Sequence, residues 1–228
     1  MSPSLRVDDI QLTIGERQIL QPMSIEFAPG EITALSGPSG SGKTTVLSVA
    51  GGLLRPTRGT ATYGELAMWQ GDGDPRPEVA FVLQVYGLVP ILTARENVAI
   101  ALRARGHSPK EANEAADDEL RRFSIGDLGD RQVEELSGGQ MQRVACARGF
   151  AVRADILLAD EPTSELDEGN REHVMAQLRA EAARGAIVVV ATHDPAVVAA
   201  AHRHYLLDDG ALTDHVQPVT APHSGFRG

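Results

Sequence analysis

Eight residues, Gly37-Pro38-Ser39-Gly40-Ser41-Gly42-Lys43-Thr44, have the types and spacing needed to hold phosphate. They fit G-x-x-x-x-G-K-[ST], with an apolar segment before them and a helical pattern after. Glycines let successive backbone N–H groups converge on phosphate oxygens. The start of the following helix adds a partial positive charge of about half an elementary unit. Lys43 supplies a full positive charge to β- and γ-phosphates, and the Thr44 hydroxyl suits a Mg²⁺ shell. Lys43 and Lys110 are the only lysines in an otherwise arginine-based cation set, so a lysine at this position is conspicuous. The segment implies a nucleoside triphosphate site.

A second element fits the same chemistry. Ile156-Leu157-Leu158-Ala159-Asp160-Glu161 is an apolar run ending in two carboxylates. As a strand it would deliver them to the carboxyl edge of a sheet, where open α/β sheets bind ligands. Adjacent residues of an extended chain point to opposite faces, so the two carboxylates can take different tasks. Asp160 suits the Mg²⁺ shell and Glu161 suits polarising an attacking water. The third element is Leu136-Ser137-Gly138-Gly139-Gln140. Ser137 reads as a helix N-cap, with two glycines exposing the first helical N–H groups, a second anion site. One nucleotide does not need two complete cradles, so the second is read as serving a nucleotide held by another subunit.

The elements that must position these residues alternate between strand and helix. Strand patterns cover Leu5–Leu12, Glu31–Leu35, Thr60–Tyr63, Val79–Leu83, Ile156–Asp160 and Ala186–Ala191. Helical patterns cover Lys43–Ala50, stopped by Gly51-Gly52, and a stretch near Asp167–Ala183. The middle, from about residue 93 to 153, is helical, punctuated by capping boxes at Thr93…Glu96, Ser108…Glu111 and Ser137…Gln140. A last apolar segment, Tyr205–Leu207, precedes the turn Asp208-Asp209-Gly210. Alternation of this kind predicts a mainly parallel α/β sheet, with the helix-rich middle as an inserted subdomain.

In this order, with Gln142-Arg143-Val144-Ala145 after it, Leu136-Ser137-Gly138-Gly139-Gln140 resembles the signature of the ATP-binding-cassette (ABC) ATPases. The resemblance covers about residues 5–212. It implies a phosphate-loop NTPase fold of the ABC type: a mainly parallel sheet, a small antiparallel β subdomain and an inserted helical subdomain at about 88–150. Residues 1–215 form one such domain on this reading, and 216–228 form a polar, disordered tail. Further matches follow in order. Gln84, after Val79–Leu83, resembles the Q-loop glutamine that approaches Mg²⁺ and the water, in a loop facing a membrane partner. Ser164-Glu165-Leu166-Asp167 resembles the D-loop that crosses a dimer interface. His193, within Thr192-His193-Asp194, resembles the histidine that contacts the γ-phosphate.

The resemblance implies a head-to-tail dimer, with two identical subunits preferred over two different ones. Lys43, Thr44, Gln84, Asp160, Glu161 and His193 of one subunit would face Ser137, Gly138 and Gly139 of the other across ATP. Gly37 to Thr44, with Thr45, Gln140 and Asp167, complete the expected nucleotide contacts; Thr44, Gln84 and Asp160 are the expected Mg²⁺ residues. The expected catalytic set is Glu161, His193, Gln84 and Lys43, and the expected reaction is hydrolysis of ATP coupled to an integral membrane permease. One departure stands out. The family usually stacks an aromatic residue on adenine, often in a Tyr-Gly pair, where this chain has Ile14-Gly15. Poor discrimination between ATP and GTP is the expectation. The segment between Lys43 and Gln84 also reads as short, implying a trimmed β subdomain.

Composition sets the outer bounds. The 228 residues carry a formal net charge of −10, which disfavours a nucleic-acid partner, since phosphate contacts need a basic face. A single cysteine, Cys146, excludes an internal disulfide framework and reads as a small core residue. No apolar run approaches the ~20 residues of a membrane span, and no signal-peptide pattern opens the chain. The expected location is the cytoplasmic face of a membrane, through the permease. Trp69 and Tyr86 read as surface or partner contacts, and His202 and His204 as poor metal ligands. Residues 84–98 and Leu158–Thr163 resemble the lipoprotein-releasing and macrolide-efflux ATPases. An amino-acid importer ATPase and a non-transport ATPase of the iron–sulfur-assembly or cell-division type are the competing readings.

Overall fold

The computed structural model describes residues 2–84 and 86–216. Its strands are β1 (Leu5–Ile14), β2 (Arg17–Phe27), β3 (Ile32–Ser36), β4 (Arg58–Tyr63), β5 (Leu66–Ala67), β6 (Val79–Val82), β7 (Ile156–Asp160), β8 (Ile187–Ala191), β9 (Arg203–Asp208) and β10 (Ala211–Val216). Its helices are α1 (Lys43–Ala50), α2 (Ala94–Arg103), α3 (Pro109–Arg122), α4 (Gly138–Ala151), α5 (Glu168–Ala183) and α6 (Pro195–Ala199). A six-stranded sheet runs in the order β10-β9-β3-β8-β7-β6. It is parallel throughout except for the β9–β10 pair. A second, antiparallel sheet has the order β2-β1-β4-β5.

Burial explains why β3, β7 and β8 read as unbroken apolar runs: every residue of each is buried. Successive side chains enter different cores. Leu157, Ala159, Val188 and Val190 join the cluster formed with α2 to α5. Ile156, Leu158, Val189 and Ala191 join the cluster formed with α1 and the antiparallel sheet. The strands are thus sandwiched, and their carboxyl ends (Ser36, Asp160, Ala191) share one edge. The helical middle packs through α2, α3 and α4, and all three expected capping boxes form, at Thr93, Ser108 and Ser137.

Two expectations are corrected. β2 has no counterpart among the expected strands; its Pro22 cannot donate to a ladder, and as the edge strand of its sheet β2 tolerates that proline. Val216, expected to open the tail, instead ends β10, where it pairs with His204. The remainder of the expected tail lies outside the described residues.

Candidate nucleotide site

The chain turns from β3 into α1 through the glycine-rich loop. Gly37 sits at φ +143°, and a Cβ there would lie 2.0 Å from the carbonyl oxygen of Leu207. Gly42 sits at φ +101°, with Leu20 of β2 packed against it. Any side chain at either position would be strained and obstructed, so glycine is required for the loop to close on itself. Gly42 caps α1 with no side-chain hydrogen bond, leaving the first-turn amides of α1 without a side-chain acceptor. Those amides, with the helix dipole, are the donors an anion cradle would use. Lys43 is buried, and its ammonium donates to the carbonyls of Gly37 at 2.8 Å and Pro38 at 3.0 Å, which holds its charge inside the loop.

Thr44 faces the end of β7. Its hydroxyl donates to Asp160 Oδ2 at 2.7 Å. Asp160 belongs to the series Ile156, Leu158, Asp160 that points toward α1, which is why the sheet edge brings it to Thr44 and not to the helical side. Burial pushes the Asp160 carboxyl up from its ordinary value and Glu161 pushes the same way, while Thr44 and Lys43 pull it down. A hydroxyl and a carboxylate are the hard oxygen donors that Mg²⁺ takes, usually beside water and substrate phosphate. The residues therefore fit the ion. Thr44 and Asp160 would hold it, and it would supply charge neutralisation at the phosphates.

Glu161 turns away from Asp160. Its φ of +48° is a left-handed value that non-glycine residues adopt at a cost of about 1–3 kcal/mol, usually at functional positions. Neighbouring hydrogen bonds hold it there: its N–H donates to Ala191 O at 2.8 Å, and Thr192 Oγ1 donates to Glu161 Oε2 at 3.2 Å. Its other oxygen pairs with His193 Nδ1 at 2.7 Å. Glu161 is buried while the His193 side chain is 70% exposed, so the imidazole covers the carboxylate from the solvent side. Glu161, Ser164, His193 and Asp194 line a cavity of about 260 Å³.

Lys43, Thr44, Asp160, Glu161 and His193 thus converge on one sheet edge, with Gly37 to Gly42 around them and half-buried Thr45 behind in α1. Gln84 lies exposed two residues beyond β6, the strand beside β7, and touches none of this set through a hydrogen bond. Ser137, Gly138, Gly139 and Gln140 lie elsewhere. Ser137 Oγ accepts from Gln140 N and Gln140 Oε1 accepts from Ser137 N, closing the capping box. A Cβ at Gly138 would meet Glu165 and Tyr86, and one at Gly139 would meet Glu165 O at 2.9 Å. Asp167 is spent on capping α5, where it accepts from Asn170 N at 2.8 Å; that bond first, with the Asn170 side chain next, holds its carboxyl below the ordinary value.

Several contacts at the site and in the loop after β6 escaped the sequence reading. Thr192 holds Glu161. His204 Nε2 pairs with Ser36 Oγ at 2.5 Å just before the loop, and burial lowers its pKa. Arg148 of α4 donates to the carbonyls of Tyr86 and Gly87, both at 2.6 Å. Asn97, fully buried on α2, accepts from Val89 N and donates to the carbonyls of Val89, Leu92 and Thr93. The capping pattern could have flagged none of them, because their partners are main-chain atoms or residues far away in sequence.

The ABC transporter profile matches residues 20–164, a span running from within β2, through the phosphate loop, to the residue after Asp160-Glu161-Pro162-Thr163. This chain belongs to the ABC transporter family. An uncharacterised ABC transporter ATP-binding protein of Mycobacterium tuberculosis is 39% identical over 203 residues, 87% of the cassette and 62% of that relative. The macrolide export ATP-binding/permease protein MacB of Marinobacter nauticus is 34% identical over 93% of the cassette and 34% of its own length. The cassette therefore spans less than two thirds of the curated relatives it matches. Among solved structures, the ATP-binding cassette MJ0796, a dimer in a post-hydrolysis state bound to ADP and Pi, superposes with a TM-score of 0.88 at 31% identity. That match covers 95% of this chain and 99% of the other, so the fold is the phosphate-loop NTPase fold of ABC cassettes.

Proposed function

We propose that this cassette hydrolyses ATP, with Mg²⁺, as half of a head-to-tail dimer of identical chains, and that closure and reopening of the dimer drive a separate integral membrane permease. The observation that carries the reading is the convergence of Lys43, Thr44, Asp160, Glu161 and His193, while Ser137, Gly138 and Gly139 sit apart. Lys43 and the loop amides bind the triphosphate, Glu161 polarises water, and His193 carries a donor to the γ-phosphate. Gln84 joins the site from the neighbouring strand. Ser137, Gly138, Gly139 and Gln140 face the partner's nucleotide, with Asp167 in the segment that crosses between subunits.

A permease partner is supported by exposed apolar side chains around the Gln84 loop. Leu83, Val89, Ile91 and Ile100 are all exposed, Ile91 by 76%. Among the described residues no helix is long and apolar enough to cross a membrane, so a span would have to come from elsewhere. The cassette would then sit on the cytoplasmic face, with no role for nucleic acid. Likeness to MacB favours an export or extracytoplasmic-domain type of complex. The test is a mild-detergent pulldown of the tagged chain from its host's membranes with co-purifying proteins identified. A stoichiometric polytopic membrane protein is the expected result, and its topology separates exporter from amino-acid importer. A soluble partner alone, with ATPase intact, would overturn the transporter reading in favour of a non-transport ATPase.

A further inference from the structure

The loop after β6 is fastened to the helical middle at two points. At its far end Asn97 of α2 clamps Val89 and the turn into α2. At its centre Arg148 of α4 donates one N–H to Tyr86 O and another to Gly87 O. Arg148 has no carboxylate partner among the ion pairs of the described residues, so its charge is committed to these carbonyls. Tyr86 takes a left-handed φ of +41°, and Gly87 follows at +60°. That backbone is what turns both carbonyls toward one guanidinium. The Tyr86 hydroxyl lies near the other end of the same helix: a Cβ built on Gly138 would stand 3.5 Å from it and 3.3 Å from the Glu165 carboxylate. Tyr86 is thus bonded to α4 through Arg148 in the helix's last turn, and its hydroxyl stands close to the helix's first residues.

We propose that Tyr86 and Arg148 are positioning residues that lock the loop of Gln84 to the helix of Ser137, Gly138 and Gly139. This rests on the reading of the chain as half of a head-to-tail ATPase. Gln84 serves the nucleotide on its own phosphate loop, while Ser137 serves the nucleotide of the other subunit. A rigid tie between them makes loading of one site and alignment of the other a single event, which is coupling in the thermodynamic sense. Without the tie each site would still bind nucleotide but would not inform its neighbour.

The experiment compares the full chain with Arg148→Gln, Arg148→Lys and Tyr86→Phe. Steady-state ATPase is measured against ATP concentration, and binding of a fluorescent ATP analogue is titrated separately. For Arg148→Gln the expected result is a kcat about three- to thirtyfold lower, with the Hill coefficient falling to about 1 and nucleotide affinity within about twofold. Arg148→Lys keeps the charge and one donor direction, and recovers part of the loss. Tyr86→Phe leaves the carbonyl clamp intact and removes only the hydroxyl at Gly138, so it lowers cooperativity without a folding defect. Unchanged kcat and Hill coefficient in Arg148→Gln and Tyr86→Phe would overturn the proposal, as would affinity falling in step with kcat. If the unaltered chain neither hydrolyses ATP nor shows cooperativity, the underlying functional reading fails before the variants are reached.

Discussion

The molecule contains two glycine-rich turns at helix starts, and they differ in what surrounds them. The turn into α1 is completed by its own chain. Lys43 lies inside it, Thr44 meets Asp160, and Glu161 and His193 stand on the same sheet edge. The turn into α4 is closed on itself by the Ser137–Gln140 capping box, and the neighbours of its glycines are Glu165 and Tyr86. Its nearby cation, Arg143, donates back to Gly139 O at 3.3 Å and to the carbonyls of Phe123 and Ser124. One turn therefore gathers a charge and a metal-fitting pair; the other offers only backbone amides and a hydroxyl. A turn of the second kind adds donors to a site whose charge is supplied by something else.

The sharpest break in that comparison is removal of the charge. Lys43→Met keeps the aliphatic stem but leaves the first turn chemically like the second. Nucleotide affinity should fall about a hundredfold, the equivalent of losing one strong charge-assisted interaction, with little change in far-UV circular dichroism. Affinity within about threefold of the parent would show that the amides of α1 suffice alone. Glu161→Gln leaves binding in place and has the largest effect on turnover. A positioned general base contributes about 10²–10⁴-fold, so kcat should drop by that factor while ATP still binds. Because the amide cannot take the proton from water, the variant should accumulate an ATP-bound dimer on size-exclusion chromatography. Turnover equal to the parent would remove Glu161 from the chemistry.

The first turn was more legible than the second half of its own site. α1 and β7 fall on the expected residues because apolar runs bounded by glycine or by acidic pairs leave no competing register. Their juxtaposition is a consequence of parallel pairing across β3, β8 and β7, which the alternation of elements already implied. The left-handed Glu161, the Thr192 hydroxyl beneath it and the Arg148 clamp were not legible. Each depends on contacts over 31 to 62 residues of sequence, and an arginine or threonine carries no local mark of what it will meet. β2 carries Pro22, whose missing donor is tolerated because the strand lies at a sheet edge, a position set by tertiary pairing. Gln84 was placed on the correct strand end, and the static arrangement leaves it exposed and away from Thr44.

Asp160 offers a prediction in which stability and binding move in opposite directions. Its folded pKa is raised, chiefly by burial, so the folded state takes up the proton before the unfolded chain does. The ionised carboxylate therefore costs stability above that raised pKa, and the cost is relieved as pH falls through it. Asp160→Asn should raise Tm at neutral pH by about 2 °C and abolish Mg²⁺-dependent tightening of nucleotide binding. In the parent, that tightening should fade on acidification at a higher pH than an ordinary aspartate would give. A lower Tm in Asp160→Asn would mean that the pull of Thr44 and Lys43 on the ionised carboxylate outweighs the cost of burying it.

The smallest expected effect concerns the part of the nucleotide farthest from the phosphates. Ile14 is 59% exposed at the tip of the β1–β2 hairpin, paired across the ladder with exposed Arg17. The hairpin reaches the phosphate loop through Leu20, which packs on Gly42 at the start of α1. An aliphatic side chain there offers contact area to a base but no ring to stack on it and no hydrogen-bonding edge to read it. Stacking on an aromatic ring is worth about 1–3 kcal/mol per base and tolerates any base. Ile14→Tyr should therefore tighten ATP and GTP alike by about tenfold, leaving their ratio near unity in competition binding. A strong preference for ATP in the parent, unimproved by Ile14→Tyr, would place base recognition somewhere other than this hairpin and leave the phosphate cradle as only one of two anchors for the nucleotide.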